Sequence, residues 1–364
     1  MRILACTLLV AVTPVLAQDI VIGQSAPLTG SNAEFGNDIR NGALAYFQKV
    51  NDAGGLPQGR IKLVTLDDRN DPKLSAENTQ KLVHEHQAVA LFGYASSTLS
   101  IPAMPAVVES KLPFFAPFTG ADAIRKQNEY VYTVRATYED EIGKIVNFWG
   151  SLGSTKVTVL HYDDAVGKQN FETVAKVLQK YNRTPVSVAI KRNADITEAN
   201  VKDVVASDPN VLVVTTLAAP AAQLIKKLKA ANRVTMITSL SFAGASQFGK
   251  ALGPDAAGVS VAITVPSPRS QVPVVKECSE AWQAGGQKEQ MSVTALEGCI
   301  AAKVLVEGMK RSGKEVTRSS LNRALAGLGR YDTGGYVVEF KPGFHHGGSY
   351  VSMALLRPNG EVRD

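Results

Sequence analysis

The residues able to do chemistry are few and scattered. The five histidines are His84, His86, His161, His345 and His346. His84 and His86 lie two apart and face different sides of a helix end. His345–His346 sits in a Gly-rich turn, where such a pair is ordinarily a loop feature. Neither pair has the spacing of a metal site, and no metal is expected. Asp67–Asp68 and Asp163–Asp164 imitate paired carboxylates, but acids in strand-to-helix loops ordinarily cap helices and solvate turns. The sequence holds no G-x-S-x-G elbow, P-loop, dinucleotide fingerprint or H-E-x-x-H run. An enzyme is therefore not expected, nor a cofactor.

The small polar residues are better placed. Thr29–Gly30 follows the first expected strand, Ser96-Ser97-Thr98 the third and Phe118-Thr119-Gly120 the fourth. In open parallel α/β sheets, ligands bind beyond the carboxyl ends of the strands. Hydroxyls and unpaired N–H groups there form an anion cradle without a formal charge. Ser97 and Thr119 are candidates to hold a carboxylate in this way. Plain N-capping is the other use for them.

The elements that must position these residues alternate between β and α. Strands are predicted at Ile20–Gln24, Ile61–Leu66, Val89–Phe92 and Pro113–Ala116. Helices are predicted at Gly36–Val50, Ser75–Glu85 and Ile101–Ser110. Then the pattern restarts. Strands are predicted at Val157–Leu160, Val186–Ile190, Val211–Thr215 and Met236–Thr238, with helices at Gly167–Tyr181, Ala199–Ser207 and Pro220–Ala231. Repeated β-α units imply parallel strands with helices on both faces. The chain passes between the two halves near Tyr132–Glu139 and again at Thr264–Pro273, where Pro266, Pro268 and Pro273 restrict its path. Helices return at Val274–Ala284 and Thr294–Arg311. Gly335–Phe340 and Tyr350–Leu356 are predicted to close the chain as a β-hairpin.

Length and composition agree with two α/β units: 364 residues, 45% hydrophobic and 20% charged. Residues 1–17 read as a secretory leader: Arg2, an apolar run from Ile3 to Leu16, and a small residue, Ala17, at the cleavage point. This predicts a periplasmic protein. The net charge of +6 falls to +5 without the leader, whose one ionic residue is Arg2. No basic cluster interleaved with aromatics is present, so nucleic acid is not an expected partner. Cys278 and Cys299 remain after cleavage. An oxidising compartment favours a bridge between them, and two buried thiols are the alternative.

Short segments then carry a resemblance. Ser25-Ala26-Pro27-Leu28-Thr29-Gly30, Phe35-Gly36 and Asn51-Asp52-Ala53-Gly54-Gly55-Leu56 are similar to the start of the branched-chain amino acid-binding protein family, the periplasmic type I solute receptors of ABC importers. Leu66-Asp67-Asp68, Asp71-Pro72, Leu82-Val83, Gly93 to Ser97, Pro113 to Thr119 and Tyr162 to Gly167 continue it. Leu296-Glu297-Gly298, Ala301 to Leu305 and Phe340 to Gly343 extend it to nearly the end of the chain.

The resemblance implies a clamshell of two doubly wound parallel-sheet lobes joined by three hinge crossings. Lobe one would hold 18–135 plus 267–330, and lobe two 136–266 plus 331–364. It implies ligand contacts from Phe35, Ser96, Ser97, Phe118, Thr119 and Gly120 in lobe one. Lobe two would add Tyr162, Ala218, Ser241 and Phe242. It also implies a small solute, a carboxylate in chemistry, an inner-membrane ABC permease as partner, and a monomer that closes on its ligand. Solute sensing by the same clamshell is the alternative use. Amino-acid-binding relatives tend to place an acid near Ser241 to meet the α-ammonium. Its replacement here predicts an apolar or aromatic carboxylate, with Asp163 as the alternative partner for an ammonium.

Overall fold

A computed structural model describes residues 19–363 except Ser31, residues 126–128, Asn193 and Val234. The expected leader lies outside the described residues. In chain order the first half runs β1 (Ile20–Ala26), α1 (Ala33–Asp52), β2 (Ile61–Asp67), α2 (Pro72–His84), β3 (Ala90–Phe92), α3 (Ser97–Ser100), α4 (Met104–Glu109), β4 (Phe114–Phe115), α5 (Asp122–Arg125) and β5 (Val131–Tyr132). The second runs α6 (Tyr138–Ser151), β6 (Val157–Tyr162), α7 (Ala165–Leu178), β7 (Val186–Ile190), α8 (Glu198–Ser207), β8 (Val211–Thr215), α9 (Ala218–Ala230), β9 (Met236–Ser239), α10 (Ala245–Leu252) and β10 (Val259–Ile263). The last third adds α11 (Pro273–Ala284), α12 (Val293–Lys310), α13 (Arg318–Ala326), β11 (Gly329–Asp332), β12 (Val337–Phe340), β13 (Ser352–Leu356) and β14 (Val362–Arg363).

Two sheets result. The first has the order β2-β1-β3-β4-β5, and every pairing in it is parallel. The second has the order β14-β13-β10-β9-β8-β6-β7, parallel from β7 to β10, with β13 and β14 added antiparallel at one edge. Its interior strand β8 is Val-Leu-Val-Val-Thr and is buried throughout, as a strand covered on both faces must be. Each sheet carries apolar cores on both faces. Leu82, Phe114 and Val131 pack on one side of the first sheet, opposite the larger core of Ile22, Phe92 and Leu296.

Local chemistry sets the helix starts. Asp71 accepts from the N–H groups of Lys73 and Leu74 with Pro72 opening the helix, and Thr137 and Asp140 form a reciprocal capping box at α6. Helices α1 and α12 cross closely at Gly42. A Cβ there would strike the carbonyl of Ala295, so only glycine fits.

The end of the chain departs from expectation. Gly335–Phe340 and Tyr350–Leu356 do not form a hairpin together. β12 pairs with β11, whereas β13 pairs with β10 in the second sheet. Tyr336, Val338 and Phe340 are buried in the first core. The expected boundary at 330/331 is therefore too early, and the β11–β12 hairpin packs with lobe one. The physical reason is that its apolar face fits the core beneath α12 and α13, while the chain crosses only after Gly347, whose N–H bonds Thr133. Cys278 on α11 and Cys299 on α12 are joined by a disulfide with a Cα–Cα separation of 6.0 Å.

Candidate functional site

In both sheets the strand order reverses beside an early strand: at β1 between β2 and β3, and at β6 between β7 and β8. Crevices at such reversals, beyond the carboxyl ends of the strands, are where α/β sheets hold ligands. A cavity of about 170 Å³ occupies this position between the lobes. Lobe one supplies Asn32, Asn70, Pro72 and the Ser96–Thr98 turn; these groups are nearly all polar and uncharged. Lobe two supplies Tyr138, Tyr162, Phe242, Leu217 and Val166, with Arg192, Asn170 and Thr215 among them. One wall is thus a set of amides and hydroxyls, and the facing wall is largely aromatic and aliphatic.

Each wall is held by its own lobe. Ser96 has φ of +90°, sparsely populated for a residue with a side chain. Its N–H bonds the carbonyl of Phe118 at 3.3 Å and its carbonyl accepts from Ser100 Oγ at 2.7 Å. Across the cavity, the Tyr138 and Phe242 rings lie 5.2 Å apart. The Tyr162 hydroxyl accepts from Leu217 N–H at 3.2 Å. Burial pushes both phenols above their ordinary range, so they remain neutral. The Arg192 guanidinium carbon lies 4.1 Å from the Tyr162 ring centre, and Arg192 Nε donates to Asp164 Oδ2 at 2.5 Å.

Four expected contacts, Ser96, Ser97, Tyr162 and Phe242, line this cavity. Six do not. Phe35 and Phe118 meet edge to face at 6.3 Å inside the first core. Thr119 is buried, donates to the Tyr138 hydroxyl and accepts from Ala121 N–H, so it is spent on structure. Gly120 accepts from Tyr138 N–H and faces a separate recess of about 20 Å³. Ala218 begins α9 and packs toward the second core. Ser241 is bonded to Glu141 through both its N–H and its hydroxyl. Asp163 is no ammonium partner either, because it pairs with Lys168 at 2.8 Å on an exposed surface and is absent from the wall.

Tyr138, Arg192, Asn32, Asn70 and Asn170 were not expected from the sequence. The signal that finds Arg192 is its place two residues beyond the carboxyl end of β7, the same position relative to its strand that marks the other loops. A second cavity, of about 490 Å³, is larger. Of its ionic groups, Lys250 pairs with Glu34 and Arg269 with Glu361, and Glu289 lines it as well.

The lobes touch. Glu34 of α1 accepts from Ser246 Oγ at 2.7 Å and from Lys250 Nζ at 2.8 Å. Gln169 of α7 donates to Asp122 at 2.9 Å. Where the chain passes between lobes, Arg135 is buried between Glu297 of α12, at 3.3 Å, and Glu141 of α6, at 3.9 Å.

Comparison with known proteins adds the family. The pattern described as periplasmic binding protein matches residues 19–361. An amino acid binding protein of Pseudomonas aeruginosa is 30% identical over 152 residues, 41% of this chain and 41% of that protein. Leu/Ile/Val-binding protein homolog 2 of Brucella abortus is 37% identical over 101 residues, 28% of this chain and 27% of its own length. The aligned stretches thus span less than half of these relatives. Among solved structures, a possible leucine/isoleucine/valine-binding protein from Rhodopirellula baltica superposes with a TM-score of 0.91 at 29% identity, covering 97% of both chains. A substrate-binding periplasmic protein from Ralstonia solanacearum superposes with a TM-score of 0.87 at 30% identity, covering 94% of this chain and 99% of that one.

Proposed function

Since the chain belongs to the periplasmic binding protein family, of the Leu/Ile/Val-binding type, we propose that it captures a small carboxylate in the periplasm by closing its two lobes and delivers it to an inner-membrane ABC permease. The observation that carries this reading is the cavity at the reversal points of both sheets, with a polar wall from one lobe and an aromatic wall from the other. A solute that touches both walls stabilises the closed arrangement by its differential contacts alone. A net preference of about 1.4 kcal/mol shifts the open–closed ratio tenfold. Closure of this kind needs no chemistry on the solute. On this reading Ser96 and Ser97 meet the polar end of the solute, and Tyr162 and Phe242 its apolar body. Small-angle scattering of purified protein tests it: a bound carboxylate reduces the radius of gyration, and a radius indifferent to every small acid tried would rule the reading out. Native mass spectrometry of protein purified without denaturation identifies a retained solute directly.

A further inference from the structure

Among the described residues the cavity wall holds one ionic side chain, Arg192, and no carboxylate. The acid bonded to Arg192 is Asp164, and both its oxygens are committed. Oδ1 caps α7 through Gly167 N–H at 2.9 Å, and Oδ2 accepts from Arg192 Nε. Among the described residues, the two terminal nitrogens of Arg192 have no bonded partner. The guanidinium plane is braced by the Tyr162 ring beneath it and by Asp164 at its side. A braced guanidinium with free terminal N–H groups suits an anion, since it offers paired donors in a fixed fork. An ammonium group at this wall would lie beside a cation with no wall carboxylate to meet it, and like charges at that range repel.

Size adds a second constraint. A cavity of about 150 Å³ takes benzene, and this one is about 170 Å³. Tyr138, Tyr162 and Phe242 offer faces and edges suited to an apolar or aromatic body of that size.

Resting on the solute-capture reading above, we propose that the ligand is a compact carboxylate, of single-ring size, that carries no ammonium group, and that Arg192 is the residue that enforces this choice. The lobe-one amides and hydroxyls supply neutral hydrogen bonds, and Arg192 supplies the counter-charge.

The test is calorimetry on the full purified protein with two matched pairs. Leucine and 4-methylpentanoate differ by the ammonium, and benzoate and benzyl alcohol differ by the anionic charge. The expected result is at least tenfold tighter binding of 4-methylpentanoate than of leucine, and of benzoate than of benzyl alcohol. Arg192→Gln should bring the benzoate-to-benzyl-alcohol ratio close to one, and Arg192→Lys should restore part of it. Asp164→Asn keeps the cap on α7 and removes the competing charge, so benzoate should bind as tightly or a few-fold tighter. A merely structural Arg192–Asp164 pair would instead make both substitutions weaken all four compounds alike, which overturns the inference. Leucine binding as tightly as 4-methylpentanoate, or a benzoate preference that survives in a folded Arg192→Gln protein, overturns it as well. Failure of all four compounds to bind, with no change in scattering radius, sinks the solute-capture reading itself, an outcome distinct from loss of the Arg192 assignment alone.

Discussion

Glu141 and Ser241 are 100 residues apart, and the Glu141 carboxylate accepts both the Ser241 N–H, at 2.7 Å, and the Ser241 hydroxyl, at 2.8 Å. This pair pins the turn that carries Phe242 into the cavity wall. Behind it, Arg135 bridges Glu141 to Glu297 of the other lobe, and both side chains of the Arg135–Glu141 pair are at most 2% exposed. Glu141→Ala leaves Arg135 short of a partner and orphans the Ser241 N–H. Removing one member of a buried pair costs about 3–5 kcal/mol. Glu141→Gln keeps an acceptor for the N–H and should cost less, about 1–3 kcal/mol. Urea unfolding of both variants measures this. Losses below ~0.5 kcal/mol in each would show that the network does not support the fold.

Phe242 and Thr119 separate ligand contact from buried structure. Phe242→Ala removes a wall of the cavity from a half-buried position and should weaken solute binding tenfold or more with a small change in stability. Thr119 reaches no cavity surface, and its hydroxyl is bonded to Tyr138 and Ala121. Thr119→Val should therefore cost about 1–2 kcal/mol of stability and change affinity less than threefold. Parallel calorimetry and thermal melts on the two proteins decide between this assignment and one in which Thr119 holds the solute.

Glu34 joins the lobes through Ser246 and Lys250. The Lys250 ammonium is half exposed, so the ion pair is worth under about 1 kcal/mol and is screened by salt. Glu34→Gln should weaken solute affinity about two- to fivefold at low salt and almost not at all near 1 M salt. A loss that is independent of salt would point to packing at the α1–α10 contact in place of the charge.

Much of the architecture was legible because it is local. The all-apolar Val211–Thr215 run and the restarted β-α pattern follow from covering a parallel sheet on both faces. Asp164 at a helix start follows from the need to satisfy free N–H groups. The obscure parts are non-local. β5 is two residues long and has no period to read. Whether β12 pairs with β11 or with β13 depends on which core buries Tyr336 and Phe340, and pattern alone does not fix that. In the site, Ser96 and Ser97 stood out as loop residues beyond a strand, whereas Tyr162, which ends β6, and Phe242 came from the family resemblance. Arg192 lies in a polar run that looks solvated, and Tyr138 opens a helix whose partner ring lies 104 positions later in the chain.

The Cys278–Cys299 disulfide closes a loop with a sequence separation of 21, wholly within the lobe-one core. The chain-entropy relation gives about 3 kcal/mol for a loop of this length. The Cys278→Ala, Cys299→Ala double variant should lose roughly that in urea unfolding. Its solute affinity should be unchanged, because neither residue touches the cavity. Alkylation before and after reduction, read by mass, establishes that the bond is present. A double variant as stable as the parent would contradict the assignment.

Asp68 gives the clearest pH dependence. It is fully buried, accepting from Ser25 Oγ at 2.8 Å and from Asn70 N–H at 2.9 Å. Burial raises its carboxyl from 3.8 to about 6, with Asp67 and Asp71 adding to the rise and the two hydrogen bonds opposing it. The folded state therefore binds this proton more readily than the unfolded state. Stability from this group is greatest below the unfolded value and is lost as pH rises from about 4 to about 6, then stays level. The change over that window is roughly 2–3 kcal/mol at one unit per 1.36 kcal/mol. Asp68→Asn has no such titration. Its stability relative to the parent should rise by about that amount between pH 4 and pH 6 and hold constant above pH 7. Urea midpoints at pH 4, 5, 6 and 7.5 measure the difference between the two proteins. A difference that is flat across this range would place the Asp68 proton equilibrium at its ordinary value and remove burial as its governing cause.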